Sequence, residues 1–421
     1  MIEVKNFFKT NIFCYLIILF PLLLITGPFL PDLSILFFCI YFIINYNKFK
    51  FDQFFEKKIH WIFILFYIII CISSLTSDYS LYSIKSSVFY LRFGIFSLAI
   101  YFLFLHHQHI ILNLSNFFLI ILVVLFVDTI FQYIFGFNLL GWKFENDYRV
   151  TSLFGDDEIL GSYIARLFPF MISIFIFSKK NFNFNFNNLL FFFVFISSSL
   201  ITLMSGERTS LALLILSIIL MFFTCKNIRK LIFFSFLAIS IILTSLILTN
   251  EKTKKRMLNQ TVKQLGLTSK SERMVIFSKT YEGHYTIALK MFKEKPILGH
   301  GPKTFRKFCS EPDNYLNDVA CTTHPHNILM QLLSETGIMG TFFYIIIFFY
   351  LIFKITKIAI QSFFNKNKYE KDYLTLMYIF YFINLFPFAP SGNFFNNWLS
   401  AIYYFPLGYM FFLINFKRKI Q

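Results

Sequence analysis

The chain has 421 residues, of which 57% are hydrophobic and 21% aromatic, while only 14% are charged. A water-soluble protein of this length cannot place so large an apolar fraction in its core, so the composition excludes a soluble protein and indicates a membrane protein. The formal net charge of +17 would suit a nucleic-acid binder. The basic residues lie in short loops between apolar runs and form no concentrated arm, however, which argues against nucleic acid as a partner.

Apolar runs long enough to cross a bilayer recur along the chain, since about 20 apolar residues suffice for one helical crossing. The first run lacks a small-residue cleavage site and is followed at once by a second run, so we expect it to stay as an anchor. The sequence predicts about twelve spans, namely residues 11–29, 30–46, 59–76, 87–105, 109–135, 158–178, 187–204, 209–224, 230–249, 327–358, 373–389 and 396–415.

Basic residues mark one side of this predicted topology. They cluster in the segments after even-numbered spans, as the positive-inside rule requires when both termini are cytoplasmic. We therefore predict an all-α multi-pass membrane protein with cytoplasmic termini, in which most of the charge is a topology signal. The basic residues in question are Lys48, Lys50, Lys57, Lys58, Lys179, Lys180, Lys226, Arg229, Lys230, Lys366, Lys368, Lys371, Lys417, Arg418 and Lys419.

One long polar stretch, residues 250–326, is predicted to form a large loop on the outer side of the membrane. It contains 14 lysines and arginines against 7 acidic residues, which favours either an anionic partner or a basic, solvated face. Short amphipathic helices are expected in it, because four apolar residues before Pro296 share one helical face: Tyr285, Ala288, Leu289 and Phe292. The chain thus divides into spans one to nine (1–249), the large loop (250–326) and spans ten to twelve (327–421).

The large loop holds two cysteines, Cys309 and Cys321, and an oxidising periplasm would allow them to form a disulfide. Such a bridge would close the loop just before His324 and contribute about 3 kcal/mol to stability. The alternative is a metal site built from this pair with His324 and His326. It is disfavoured because the spacing matches no standard zinc pattern.

The stretch CTTHPHNILMQLLSETGIMG, residues 321–340, contains the start of span ten. Pro325 suits the first turn of a helix, and His326 or Asn327 suits its cap. A helix amino end carries a partial positive charge and free amide donors, so it can bind a phosphate. The same field would keep the His326 imidazole neutral and able to accept a proton. The alternative is that His326 is an ordinary loop histidine.

Several cations are predicted at the same outer depth. Arg208 lies where span seven meets span eight, and Lys85 and Arg92 lie at the outer end of span four. An arginine within a span is costly unless it faces a cavity or a partner. Arg92 therefore either has a functional role or forms a salt bridge, with Glu207 or Asp128 as the available acids. These cations, with a neutral histidine and no acidic cluster, suit a pyrophosphate leaving group. Further cations near that surface are Arg149, Arg166 and Arg306.

These motifs resemble those of the O-antigen ligase family, a group of bacterial inner-membrane glycosyltransferases that includes O-antigen ligases, Wzy-type polymerases and O-linked protein oligosaccharyltransferases. The late family motif is His-Asn, nine residues, then Gly and an aliphatic residue, and this chain matches it from His326 to Ile338. PILGHGPKTF resembles the family's Pro-x-x-Gly-x-Gly segment, and SGERTS resembles its Ser-Arg-Thr motif with Glu207 inserted. The resemblance extends to the topology of essentially the whole chain and implies a GT-C-like architecture.

The resemblance also implies a reaction. The donor would be a glycan on undecaprenyl pyrophosphate, the acceptor a hydroxyl of the lipid A core, and the setting membrane lipid at the periplasmic face, with no metal and no nucleotide cofactor. His326 would be the general base of an inverting transfer, and Arg208 with Lys85 or Arg92 would bind the pyrophosphate. Supporting roles would fall to His324, Asn327 and Glu335.

The large loop departs from the family pattern at one point. The family usually has an arginine roughly a dozen and a half residues before Pro-x-x-Gly, where this chain has TYEGHYTIALKMF. We expect His284, Arg273 or Arg306 to take the place of that arginine at the pyrophosphate.

Three other functions stay open. A polymerase would use the same motif with the glycan itself as acceptor, and a protein O-oligosaccharyltransferase would use a protein. A lipid-linked sugar flippase or transporter is the alternative from a different class. Such transporters tend to have repeated halves with Gly- or Pro-broken spans, and we find no such repeat. The single basic loop and the His-Asn motif favour the ligase.

Overall fold

The computed structural model describes residues 2–45, 59–143, 149–178, 184–264, 279–364 and 371–420. This part of the chain is almost entirely helical and contains no strand beyond one isolated bridge between Phe137 and Lys143. After the helix that ends at Thr249, the described residues form three short helical pieces, Glu251–Lys254, Lys255–Asn259 and Gln260–Gln264. The main helices are α1 (Ile2–Leu23), α2 (Phe29–Ile44), α3 (Ile59–Leu75), α4 (Ser80–His106), α5 (His109–Phe135), α6 (Leu160–Ser178), α7 (Phe184–Met204), α8 (Arg208–Thr224), α9 (Arg229–Thr249), α10 (Lys279–Glu294), α11 (Phe305–Cys309), α12 (Ile328–Phe364), α13 (Asp372–Asn384) and α14 (Asn397–Ile420).

Six of the described helices are long and apolar enough to cross a bilayer: α4, α5, α6, α9, α12 and residues Asn397–Phe416 of α14. Shorter apolar helices accompany them in the same part of the chain: Ile12–Leu23, Phe29–Ile44, Trp61–Leu75, Asn188–Met204 and Arg208–Thr224. The predicted all-α multi-pass membrane protein is therefore confirmed. The count of twelve spans and the GT-C-like architecture stay predictions.

Helix α4 begins earlier than its apolar run predicts. The predicted span starts at residue 87, whereas the helix starts at Ser80 with a serine-rich, polar first part. Ser83 and Ser87 are nevertheless buried, and Ser83 Oγ donates to the Pro302 carbonyl (3.1 Å). The polar start of α4 is therefore satisfied by the large loop, a long-range contact that hydropathy does not reveal.

Aromatic side chains fill the contact between α4 and α14. The ring of Tyr404 packs against those of Tyr90 and Phe93, with centroid distances of 5.9 and 5.7 Å. Gly408 allows the two helices to approach closely, because a Cβ at this position would lie 2.5 Å from the Ser97 carbonyl oxygen. These aromatic side chains therefore serve as packing between α4 and α14.

The turn between α10 and α11 is anchored on two apolar helices. Ser73 Oγ, in α3, donates to the Leu298 carbonyl (2.5 Å) and the Glu335 carbonyl (2.9 Å). The Glu335 carbonyl, in α12, also accepts from Gly301 N (2.8 Å). These bonds hold the Pro-x-x-Gly-x-Gly segment against the amino-terminal part of α12.

Helix α12 is interrupted at Gly337, which has φ 62° and ψ −164°. The two residues that follow bond to the Pro-x-x-Gly segment, since Ile338 N donates to the Pro296 carbonyl (2.8 Å) and Met339 N to the Ile297 carbonyl (3.2 Å). The predicted span ten is therefore two helical pieces joined at a backbone crossing. The short first piece carries the residues that follow His326.

Replacing Gly337 with alanine should lower the free energy of unfolding by at least about 2 kcal/mol, because its backbone conformation is essentially restricted to glycine. A Cβ there would also lie 2.3 Å from the Ile297 carbonyl oxygen. Gly141→Ala is the matched control, since Gly141 also has a positive φ (87°) but has no atom within 4 Å of an added Cβ. Thermal unfolding in detergent checks this prediction, and equal midpoints for the two variants would contradict it.

Candidate active site

His326 lies in a sharp turn immediately before α12. Its backbone has φ 52°, a left-handed conformation that is uncommon outside glycine. Asn327, rather than His326, caps the helix, since Asn327 Oδ1 accepts from Met330 N (3.1 Å). Asn327 Nδ2 donates to the Pro387 carbonyl (2.7 Å), and Ser391 N donates to the His326 carbonyl (2.9 Å). The segment between α13 and α14 therefore fixes the backbone around His326.

Three imidazole rings lie together at this turn. The ring centroid of His326 is 4.0 Å from that of His324 and 5.2 Å from that of His284. Both nitrogens of His324 contact oxygen atoms, Thr323 Oγ1 at 2.7 Å and a backbone carbonyl at 3.3 Å. His284 Nε2 lies 2.9 Å from the Val319 carbonyl oxygen. The ring nitrogens of His326 form no hydrogen bond with the described residues. His284 Nδ1 also has no such partner, but it is buried, whereas His326 is half-buried, so His326 is the ring placed to meet a substrate.

Burial makes these imidazoles neutral. It lowers the pKa of His326 to about 4, with a further contribution from the neighbouring His284. Burial and the adjacent His326 lower the pKa of His324 to about 3, and burial also lowers the pKa of His284. At neutral pH the three rings are therefore uncharged, and His326 can accept a proton. From the sequence, we expect the positive end of the helix dipole to keep His326 neutral. In the structure, burial is the main cause of its low pKa.

Cys309 and Cys321 form a disulfide, with their Cα atoms 5.3 Å apart. Their sulfur atoms are joined to each other and are not placed as ligands of a metal site with the two histidines. The bridge closes the loop three residues before His324. We expect both thiols to resist labelling in the folded protein until a reductant is added, and reduction to lower stability by about 3 kcal/mol. Two reactive thiols in the untreated protein would rule the bridge out.

Arg208 and Arg256 form a group of charges bound only to neutral acceptors. Arg208, the first residue of α8, donates to Thr261 Oγ1 (3.1 Å) and Gln264 Oε1 (2.7 Å). Arg256 donates to a backbone carbonyl (3.0 Å) and to Gln260 Oε1 (2.7 Å). Neither guanidinium group forms an ion pair with an acid in the described part of the chain. Their positive charge is therefore available to a bound anion.

Arg149 lies beside this pair. One of its terminal nitrogens pairs with Glu158, while its Nε is buried without a hydrogen-bond partner among the described residues. Burial lowers the pKa of Arg256, and the charges of Arg149 and Arg208 lower it further. Arg149, Lys252 and Arg256 line one cleft together with apolar side chains: Tyr133, Val150, Leu203, Met204 and Met257. This lining suits an anion attached to an apolar chain.

Tyr281 connects the histidines with the arginines. Its ring centroid lies 6.0 Å from that of His326 and 5.9 Å from that of His284. Burial raises the pKa of Tyr281, and the charges of Arg208 and Arg149 oppose that rise, which places both guanidinium groups near the phenol. The predicted base and the predicted phosphate-binding arginine thus lie around the same tyrosine.

Arg92 and Lys85, also predicted at the pyrophosphate, have other surroundings. Arg92 forms a salt bridge with Asp32 of α2, with the two charged groups 2.6 Å apart. The partners named from the sequence, Glu207 and Asp128, are therefore wrong. The acid comes from a neighbouring helix that is remote in the sequence. Lys85 is exposed and has no ion pair or hydrogen bond with the described residues.

The candidates for the missing loop arginine fall in different places. His284 is buried and packs against His326, so it is a neutral neighbour of the predicted base. Arg306 is exposed on α11, and its charge contributes to the low pKa of His324. Arg273 lies outside the described residues.

Two glutamates, of which Glu335 is buried and Glu207 half-buried, position the segments around the site. Glu335 Oε1 accepts from Phe305 N (3.2 Å), and Glu335 Oε2 accepts from Gln331 Nε2 (2.9 Å). Glu207 Oε1 accepts from Gly161 N (2.7 Å), which ties the start of α6 to the residue just before Arg208. The glutamate inserted in the Ser-Arg-Thr motif therefore has a local structural role.

Sequence reasoning missed Arg256 and Tyr281. Arg256 lies in the run KTKKRM, where neighbouring lysines conceal it. A usable signal was Asn250, whose side chain accepts from Thr253 N (3.0 Å) and caps the helical segment that carries Arg256. Tyr281 lies in the stretch where the chain departs from the family pattern, so the departure pointed to the right helix.

Comparison with known proteins agrees with these motifs. Residues 192–345 match the family model described as O-antigen ligase. This part of the chain runs from α7 through the large loop into α12 and includes Arg208, Tyr281 and His326. No curated protein matches the chain. The match covers residues 192–345 and supports assigning this part of the chain to the O-antigen ligase family, whose members are membrane glycosyltransferase-like ligases and polymerases.

Proposed function

We propose that the protein is an O-antigen ligase that transfers a glycan from undecaprenyl pyrophosphate to a hydroxyl of the lipid A core. The reaction would take place at the periplasmic face of the bacterial inner membrane, with both chain termini cytoplasmic. One observation carries the proposal: Tyr281 packs against His326, a neutral imidazole without a hydrogen bond to the described residues, and lies near Arg208, a guanidinium group bound only to neutral acceptors.

In the proposed step, the acceptor oxygen attacks the anomeric carbon of the donor. The bond between that carbon and the pyrophosphate oxygen breaks, and the acceptor proton passes to His326. Undecaprenyl pyrophosphate leaves with the electron pair, and attack from the opposite face inverts the anomeric centre. Arg208 and Arg256, assisted by Arg149, neutralise the charge that develops on the leaving group.

The remaining cations receive other roles in this proposal. Arg92 is neutralised by Asp32, so we assign it to helix packing. Lys85 and Arg306 are exposed and would meet parts of the donor or acceptor farther from the reacting carbon. His284 and His324 would keep His326 in place and exclude water around it.

The low pKa of His326 fits a base that acts only after the donor has bound. A free imidazole of such low pKa is a weak base, but a pyrophosphate dianion nearby favours its protonated form. Donor binding would therefore raise the basicity of His326 at the moment of transfer. In the empty site, the low pKa would keep His326 unprotonated.

The pH dependence of kcat/KM should report this property of the free protein. Because burial lowers the pKa of His326 to about 4, the neutral form is lost only as the pH falls through that value. We expect kcat/KM to stay level from about pH 8 to about pH 5 and to fall below that, whereas an unperturbed histidine would give a fall near pH 6.5. Initial rates at low donor concentration measure it. A fall centred near pH 6.5 would contradict the assignment.

The acceptor and the reaction class can be tested with purified protein in liposomes, with donor and lipid A core both supplied on the side of the large loop. We expect mass spectrometry to find glycan on the lipid A core and free undecaprenyl pyrophosphate. Extension of the glycan on its own lipid carrier would identify a polymerase instead. Movement of the donor across the bilayer without a new covalent product would identify a flippase.

A further inference from the structure

Tyr281 occupies the place where the reacting sugar must lie, an argument that rests on the proposed function. The sugar ring of the donor is bonded at its anomeric carbon to the pyrophosphate, which we place at Arg208. The same carbon must be open to the acceptor oxygen, which we place at His326. The reducing-end sugar is therefore the group between the two sites. Tyr281 lies beside His326, with ring centroids 6.0 Å apart, and is near enough to feel the charge of Arg208.

The chemistry of Tyr281 suits a sugar. Its side chain is half-buried, so part of the ring is open to a ligand. Tyr285 lies one turn farther along α10, and its ring stacks with that of Tyr281 at a centroid distance of 6.4 Å and an interplanar angle of 13°. The ring of Tyr281 is thereby supported from within the loop. Its hydroxyl forms no hydrogen bond with the described residues, so it is available to a sugar hydroxyl.

We propose that Tyr281 binds the first sugar of the donor, with its ring against the apolar C–H face of the sugar and its hydroxyl bonded to a sugar oxygen. An aromatic ring with a polar end matches both kinds of surface on a pyranose. Tyr281 would thus be a specificity residue that recognises the sugar at the lipid-linked end of the glycan, while the arginines bind only the pyrophosphate.

The test compares two lipids on the same variants. The probes are undecaprenyl pyrophosphate alone and undecaprenyl pyrophosphate carrying one N-acetylhexosamine, each titrated into protein in nanodiscs. Tyr281→Ala should weaken binding of the glycosylated lipid on the order of tenfold, as for the loss of one aromatic contact face, and should leave binding of the bare lipid unchanged. Tyr281→Phe keeps the ring and should lose only about two- to threefold for the glycosylated lipid.

Tyr315→Ala is the control, because Tyr315 is an exposed tyrosine elsewhere in the large loop. Unchanged binding of the bare lipid shows that the site of Tyr281→Ala is still folded. The proposal is overturned if Tyr281→Ala binds the glycosylated lipid as well as the wild type does, or if it weakens both lipids equally. Failure of the proposed function gives a different result: the sugar-dependent loss remains, but the wild type forms no glycosylated acceptor from the bound donor.

Discussion

His326→Ala is expected to lower the rate of glycan transfer by about 10²- to 10⁴-fold, the usual contribution of a positioned general base. Donor affinity should change by no more than about twofold, because the proposed function assigns pyrophosphate binding to the arginines. The expected loss is large because the two neighbouring imidazoles, His284 and His324, are buried, whereas His326 is half-buried. Both nitrogens of His324 contact oxygen atoms; His284 Nε2 lies near a carbonyl oxygen, and its other nitrogen, Nδ1, is buried.

The backbone at this position calls for a second variant. His326 has φ 52°, and asparagine tolerates that conformation better than alanine does. His326→Asn should therefore keep the fold and still lose the transfer rate. His109→Ala, at an exposed histidine that starts α5, is the control and should keep full activity. Steady-state transfer in liposomes, together with donor titration, measures both quantities. A wild-type rate in His326→Asn would remove His326 as the base.

Arg208→Ala is expected to lower kcat/KM by about 10²- to 10³-fold, the usual result of removing one donor to a developing anion. Arg208→Lys keeps the charge but loses the two-pronged geometry with which the guanidinium now reaches Thr261 and Gln264. It should therefore recover only part of the loss, to about tenfold below the wild type. Unlike the His326 variants, both Arg208 variants should bind undecaprenyl pyrophosphate more weakly.

A matched control separates this effect from the general charge of the loop. Lys293→Ala removes an exposed cation near the end of α10 and should leave donor binding unchanged at moderate salt. Arg256→Ala should resemble Arg208→Ala, because the two guanidinium groups share one region of the structure. If Arg208→Ala and Lys293→Ala have the same small effect, the arginine does not contact the pyrophosphate.

Much of the candidate site can be predicted from the sequence, because several of its features depend on residues that are close together in the chain. The spacing of the motif from His326 to Gly337 has two local causes. Asn327 caps the helix, and Gly337 breaks it where its backbone meets Ile297, in a conformation restricted to glycine. The pairing of Cys309 with Cys321 follows from their being the two cysteines of the large loop. Such features depend on residues close in the chain, and a single sequence displays them.

The parts that the sequence does not reveal depend on contacts between distant segments. Arg92 pairs with Asp32 because α2 and α4 are neighbours in space, and no local pattern predicts which helices are neighbours. Arg256 lies near Arg208 because the segment after α9 folds back to the Gly206 carbonyl. The serine-rich start of α4 is helical because the large loop covers it. Each of these requires the tertiary arrangement.

The central claim is that His326 drives a covalent transfer from a donor held by Arg208. A single-turnover experiment tests it most directly: protein in liposomes is loaded with labelled glycan on undecaprenyl pyrophosphate, and lipid A core is then added. Wild-type protein should form glycosylated lipid A core and free undecaprenyl pyrophosphate in equal amounts, while His326→Asn should hold the donor bound and unreacted. Equal product from both proteins, or no covalent product from the wild type, would contradict the account.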